Sequence, residues 1–257
     1  MPDFLIENLQ QHRLNRTVGI YSVCSANRFV LTAAMKQALA DNSGVLIEST
    51  SNQVDQFGGY SGMNPAQFAA YVRSIAQEVD FPAEKILLGG DHLGPNVWQN
   101  RNAAEALTLA GEQVNEYVQA GFRKIHLDTS MRCADDPTVL PPETIAKRAA
   151  QLCQVAEGIS VLKNGHQPIY YVIGSEVPVP GGATETLSEI QPTTVERLEE
   201  TIAETRNAFF ERGLESAWER VIAVVVQPGV EFGDSSIIEY RREKAQTLSR
   251  AIERYPR

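Results

Sequence analysis

The chain has 257 residues, 43% of them hydrophobic and 21% charged, with a formal net charge of -9. That length and balance suit a globular α/β protein able to bury a sizeable core. The acidic excess argues against nucleic acid or an anionic membrane surface as partner, since both call for a basic patch, while a phosphorylated small molecule needs only a few local cations or helix N-termini.

Residues 3–14 read as a short amphipathic helix. Residues 19–25 form a first strand, after which Ser25 or Asn27 can cap a helix running to Ala40. Residues 44–48 are a second strand, followed by a polar, glycine-rich loop to Asn64. Asn64 suits an N-cap and Pro65 the first helical position, with Phe68, Val72, Ile75 and Val79 at helical spacing. Residues 86–95, Ile-Leu-Leu-Gly-Gly-Asp-His-Leu-Gly-Pro, read as a buried parallel strand ending in a functional loop. Glycines there let a backbone or ligand come close.

A helix from Ala103 to Ala120 closes at Gly121, and residues 124–128 are strand four. Ile145, Ala149, Leu152 and Ala156 line one face of a helix that starts at Pro142. Residues 169–176 are strand five, and residues 177–182 its long Pro/Gly loop. Thr193-x-x-Glu196 predicts a capping box for a helix ending at Gly213. Residues 221–226 are strand six, residues 227–231 its loop, and a last helix is expected from Ile237 to the end.

Strict alternation of strand and helix implies a parallel sheet with right-handed crossovers. No G-x-G-x-x-G follows the first strand, so the pattern favours a TIM-barrel-like (β/α) repeat over a dinucleotide fold, with six of the eight units present. A single barrel-like domain over residues 1–257 is expected, C-terminally incomplete, with strands one and six left as open edges. The longer, Gly/Pro-rich connections follow the strands, which places chemistry at the strand C-termini.

Acids close several strands: Glu48, Asp91, Asp128 and Glu176, with Glu231 in the loop after strand six. Around one mouth they could hold a divalent metal or supply a base and an acid for proton transfer beside a carbonyl. Singly, each acid is as well explained as a helix cap or a partner for a cation; gathered together they would repel unless a cation or substrate uses them. His92 follows Asp91 on a loop and is a candidate ligand. His126 reads as a hydrogen-bonded interior histidine, although a barrel interior near the mouth is also a site, and Cys24 as a small buried residue. Arg132 is a candidate anion contact, whereas Lys124, at the start of its strand, reads as structural. The loop from Gln53 to Gly62 is either a lid, phosphate-approaching backbone or an ordinary surface loop.

Cys24, Cys133 and Cys153 have no C-x-x-C spacing and fit free thiols in a reducing compartment. The N-terminus lacks a signal-peptide pattern, and no apolar run approaches the ~20 residues that span a bilayer. A cytoplasmic protein is expected.

Long strings carry a family resemblance: residues 23–26 (Val-Cys-Ser-Ala), 47–60 (Ile-Glu-Ser-Thr-Ser-Asn-Gln-Val-Asp-Gln-Phe-Gly-Gly-Tyr), 88–96, 120–128, 172–182 and 226–232. On these the chain resembles the non-catalytic subunit of bacterial D-tagatose-1,6-bisphosphate aldolase. The resemblance implies a TIM-barrel-like protein of galactitol or N-acetylgalactosamine catabolism. Its partner would be a zinc-dependent class II aldolase subunit, which it supports in activity and stability.

The Asp91-His92 pair also looks like the Asp-His pair of class II aldolases, in which the Asp is acid/base and the His binds zinc. Catalytic roles are therefore expected of Asp91, Glu48, Glu176 and Asp128. A sugar phosphate would meet Asn52, Gln53, Gly89, Gly90, Arg132 and Gln227. A divalent metal, zinc or manganese, would sit on His92 and Glu231. Some relatives look like sugar-phosphate 4-epimerases, whose chemistry the same acids would suit. Family members are longer, with a histidine-bearing seventh strand and an eighth, so a chain of this length is expected to be a truncated member, impaired as a stand-alone catalyst.

Overall fold

The computed structural model describes residues 4–14, 16–162, 168–174, 190–232 and 237–255. Six parallel strands alternate with helices, the (β/α) repeat of a TIM-barrel-like chain. Two compact units are present: Met1–Leu93, Gly111–His126 and Gly158–Ile169 make the first, and Gly94–Ala110, Leu127–Glu157 and Tyr170–Arg257 the second.

The first unit takes α1 (Phe4–Arg13), β1 (Tyr21–Cys24), α2 (Arg28–Ala40), β2 (Val45–Thr50), α3 (Pro65–Glu78) and β3 (Ile86–Leu93). It also holds most of α4 (Ala103–Gln119) and of β4 (Lys124–Leu127). β2 pairs with β1 from Tyr21 opposite Val45 to Cys24 opposite Glu48, and with β3 from Val45 opposite Ile86 to Thr50 opposite Asp91. β4 lies next to β3. β2 is almost wholly buried, which explains its near-continuous apolar start, as expected of a strand covered on both faces. Phe68, Ile75, Tyr117, Phe122 and Ile125 fill the interior, with the Phe122 ring 4.5 Å from Tyr117.

Local signals set the helix starts. Of the two cap candidates, Asn27 caps α2, its side chain accepting from the Phe29 and Val30 amides. Asn64 and Gln67 complete a capping box with Pro65 at the start of α3. The loop after β2 is tied down: the Asp55 carboxylate accepts from Phe57 and Gly59 N–H, and Tyr117 donates its hydroxyl to the Val54 carbonyl at 2.9 Å.

The second unit holds most of α5 (Pro142–Leu162), then β5 (Tyr170–Ile173), α6 (Val195–Glu211), α7 (Glu215–Trp218), β6 (Val221–Val224), β7 (Glu231–Phe232), β8 (Ile237–Ile238) and α8 (Arg242–Ala251). β5 and β6 are parallel, and β7 pairs antiparallel with β8. Half-buried Arg220 grips the Glu157 carboxylate with both terminal guanidinium nitrogens, and Tyr171 donates to the same carboxylate. Leu198, Leu248 and Ala251 pack together, with Val224 and Val226 against them.

Two expectations change here. The α6 cap is Thr194, because Thr193 is buried and exchanges hydrogen bonds with the Gln227 backbone. The last helix begins at Arg242, since β-branched Ile237 and Ile238 pair as β8 instead. Among the described residues no helix is long and apolar enough to cross a membrane.

Candidate metal centre at the end of the third strand

β3 continues through Asp91 and His92 to Leu93, so both residues belong to the strand and not to a loop after it. Side chains of consecutive strand residues normally point to opposite faces. His92 breaks this alternation with φ of 50°, a left-handed conformation that His adopts more readily than most residues. As a result Asp91 and His92 approach each other, with His92 Nε2 4.0 Å from Asp91 Oδ2.

β4 supplies the opposite wall. His126 is 1% exposed, and its Nδ1 lies 3.3 Å from both Asp91 Oδ1 and the His92 amide nitrogen. With Nδ1 protonated it donates to the carboxylate; with Nδ1 bare it accepts from the His92 N–H. The two imidazoles meet edge to face, centroids 4.6 Å apart.

Lys124, two residues earlier, shares the His126 face and is buried. Its ammonium lies 2.5 Å from Glu48 Oε1 and 3.5 Å from Asp91 Oδ1. The contact with Glu48 is an ion pair without hydrogen-bond alignment, for Oε1 has no hydrogen-bond partner. The other Glu48 oxygen accepts from the Ser22 hydroxyl.

These charges set the acidities. Burial opposes ionisation of Asp91, yet the His126 hydrogen bond, the Lys124 ammonium and the neighbouring imidazoles outweigh it. They hold the carboxyl well below the usual carboxylate range. Cys24 is an exposed residue, yet its thiol turns inward to Gln53 Oε1 at 3.5 Å. Burial of that thiol, followed by the charges of Asp91 and Glu48, pushes it up to about 12.

Asp91, His92 and His126 each offer one ligand-type atom, and these lie within 4.8 Å of one another. An ion bonded at roughly 2.0–2.2 Å needs donors roughly 3–3.5 Å apart, so a small closure of the trio fits a divalent metal. Sequence reasoning takes His126 for a hydrogen-bonded interior histidine, which its burial bears out, and Lys124 for a structural residue, but does not foresee that both face Asp91. Their signal was the two-residue period along strand four, which puts them on one face.

The other expected residues fall as follows. Gly89 and Gly90 belong to β3; Gly89 faces Glu48, whereas Gly90 backs onto Leu93 and Tyr117. Asn52 accepts the Tyr60 amide through its carbonyl, and the Gln53 side chain accepts the Thr50 amide, both in the loop after β2.

In the second unit, Asp128 accepts from the amide and hydroxyl of Ser130. The Arg132 guanidinium donates to the carbonyls of Pro137 and Asp136. Gln227 accepts the Gly229 and Val230 amides, closing a turn. Glu231 begins β7 and accepts its neighbour's amide. Glu176 and the loop of residues 177–182 lie outside the described residues.

The family described as D-tagatose-1,6-bisphosphate aldolase subunit GatZ/KbaZ-like matches residues 5–257. A Sinorhizobium meliloti 1021 structure, named a probable tagatose 6 phosphate kinase, is similar at 45% identity and a TM-score of 0.81, covering 92% of this chain and 56% of that one. The chain therefore spans little more than half the length of that relative. Fructose-bisphosphate aldolase from Campylobacter jejuni (13% identity, TM-score 0.54, 99% of this chain and 65% of that one) shares the fold. So does the YdjI aldolase of Escherichia coli K12 (11% identity, TM-score 0.51, 96% and 68%). With a family match over nearly its full length, the chain belongs to the GatZ/KbaZ-like family of D-tagatose-1,6-bisphosphate aldolase subunits.

Proposed function

We propose that this chain serves as an accessory subunit of tagatose-1,6-bisphosphate aldolase in the cytoplasm, raising the activity and stability of a catalytic class II subunit. The family match over residues 5–257 carries this reading, because that family is described as an aldolase subunit. The name of the Sinorhizobium relative points to the same substrate class, a tagatose phosphate. Co-expression with a class II tagatose-bisphosphate aldolase subunit tests it. Bisphosphate cleavage and thermal half-life of the catalytic subunit should both rise in the presence of the chain. Equal values with and without it would overturn the proposal.

A second reading is a metal-dependent 4-epimerase that interconverts tagatose 6-phosphate and fructose 6-phosphate. The ionised Asp91 between two imidazoles favours it, since a carboxylate beside a metal can move a proton next to a carbonyl. Conversion of tagatose 6-phosphate by the chain alone, lost in Asp91→Asn, would support it. An inert chain loaded with zinc or manganese would exclude it.

A further inference from the structure

We infer that Phe57 and Tyr60, at the tip of the loop after β2, are the anchor through which this chain docks on a catalytic aldolase subunit. The inference rests on the accessory role proposed above and adds the surface that role requires.

The two rings are each 73% exposed, although large aromatic side chains usually withdraw from water. Their surroundings carry no charge: residues 56–72 hold no acidic or basic side chain, in a chain of net charge -9. Other exposed aromatics stand beside charges. Tyr21 donates to Asp41, Phe29 follows Arg28, and Phe210 lies beneath the Arg206 guanidinium. Aromatic enrichment with charge depletion is the composition of an interface centre.

The loop beneath the rings is fixed. The Asp55 carboxylate, itself buried, holds the Phe57 and Gly59 amides, and the Tyr60 and Ser61 amides return to the Asn52 and Gln53 carbonyls. From below, the Gln113 amide donates to the Ser51 and Val54 carbonyls. Gly59 adopts φ of 54° so close to Gln53 that a Cβ would stand 2.5 Å from its carbonyl oxygen. The turn thus closes on its own stem without a hinge, and little freedom remains to be lost when the tip is covered.

Area and charge choose the occupant. A buried aromatic ring covers roughly 150–250 Å2, so two copies meeting tip to tip would bury about 600–1,000 Å2 in all. A stable interface needs about 1,200–2,000 Å2. A second copy of this chain is therefore the poorer occupant. An anionic membrane is no better, since residues 56–72 offer it no lysine or arginine. A subunit with a neutral apolar recess, taking both rings and covering the flanks of the loop, reaches the required area.

The test is binding of the full chain to a purified class II tagatose-bisphosphate aldolase subunit, read by biolayer interferometry. Phe57→Ala combined with Tyr60→Ala should weaken binding by at least roughly 30-fold, the level of a hot spot. Phe29→Ala, which removes a ring 82% exposed elsewhere in the same unit, should bind as the parent does. Phe57→Asp is the second arm; it places a charge at the contact and should weaken binding at least as much while melting like the parent.

Equal binding by the parent and the folded loop variants would overturn the inference and leave the accessory role standing. No binding by the parent would remove both. The inference would also fall if the chain alone formed a dimer, or alone bound tagatose 1,6-bisphosphate, and the double variant lost that property.

Discussion

Gly89 leaves the space that the Glu48 carboxylate fills: a Cβ at that glycine would stand 2.7 Å from Glu48 Oε1. The two residues are register partners on β3 and β2, so the missing side chain lets the acid lie flat over its neighbour and reach Lys124. Gly89→Ala should displace Glu48, weaken that ion pair and cost about 1–3 kcal/mol of stability, the range for overpacking. Gly94→Ala should be worse, because its Cβ would meet the Asp128 carbonyl oxygen at 1.6 Å, and a backbone cannot swing aside as a carboxylate can. Urea unfolding of both variants ranks them.

Lys124 faces two carboxylates from within the fold. Lys124→Met should leave Glu48 and Asp91 without their cation and lower stability by about 3–5 kcal/mol, as breaking a buried pair does. Adding Glu48→Gln should recover part of the loss. A double-mutant cycle measured by chemical denaturation reads this coupling directly.

The Arg148 guanidinium donates to both oxygens of Asp136 and holds its carboxyl below the usual carboxylate range. A carboxyl depressed in the folded state stabilises the fold above its unfolded pKa, about 3.9. That contribution is lost as pH falls towards the depressed value. The melting temperature of the parent should therefore drop more steeply between about pH 5 and pH 2 than that of Asp136→Asn. Parallel slopes would refute the assignment.

Cys24 is exposed as a residue, but its thiol is raised to about 12 by burial and by Asp91 and Glu48. Thiolate is the reactive form, so Cys24 should alkylate far more slowly at pH 8 than an ordinary exposed cysteine, whose pKa is about 8.5. Asp91→Asn should speed its labelling. Mass spectrometry of peptides after a timed iodoacetamide pulse checks both rates.

Much of the first unit was legible in the linear chain. Asn64, Pro65 and Gln67 announce α3 through hydrogen bonds made within one turn, so no distant residue is needed to read them. Apolar runs located β2 and β3, and the Asp91-His92 pair stood out by its chemistry and its place after two glycines. Errors arose where a distant partner decided. Thr193 looked like a cap, but the Gln227 backbone claims it. Ile237 looked like a helix start, but Phe232 pairs with it.

The sequence by itself determined the order of strands and helices, the family and the acid-histidine pair, because those depend on residue types at short separations. Only the tertiary structure decided which groups surround that pair. His126 and Lys124 reach Asp91 from 35 and 33 positions away because β4 lies beside β3, and His92 joins them because its backbone leaves the strand alternation. Neither strand neighbour nor backbone sign is written in local spacing; both are settled when the sheet assembles.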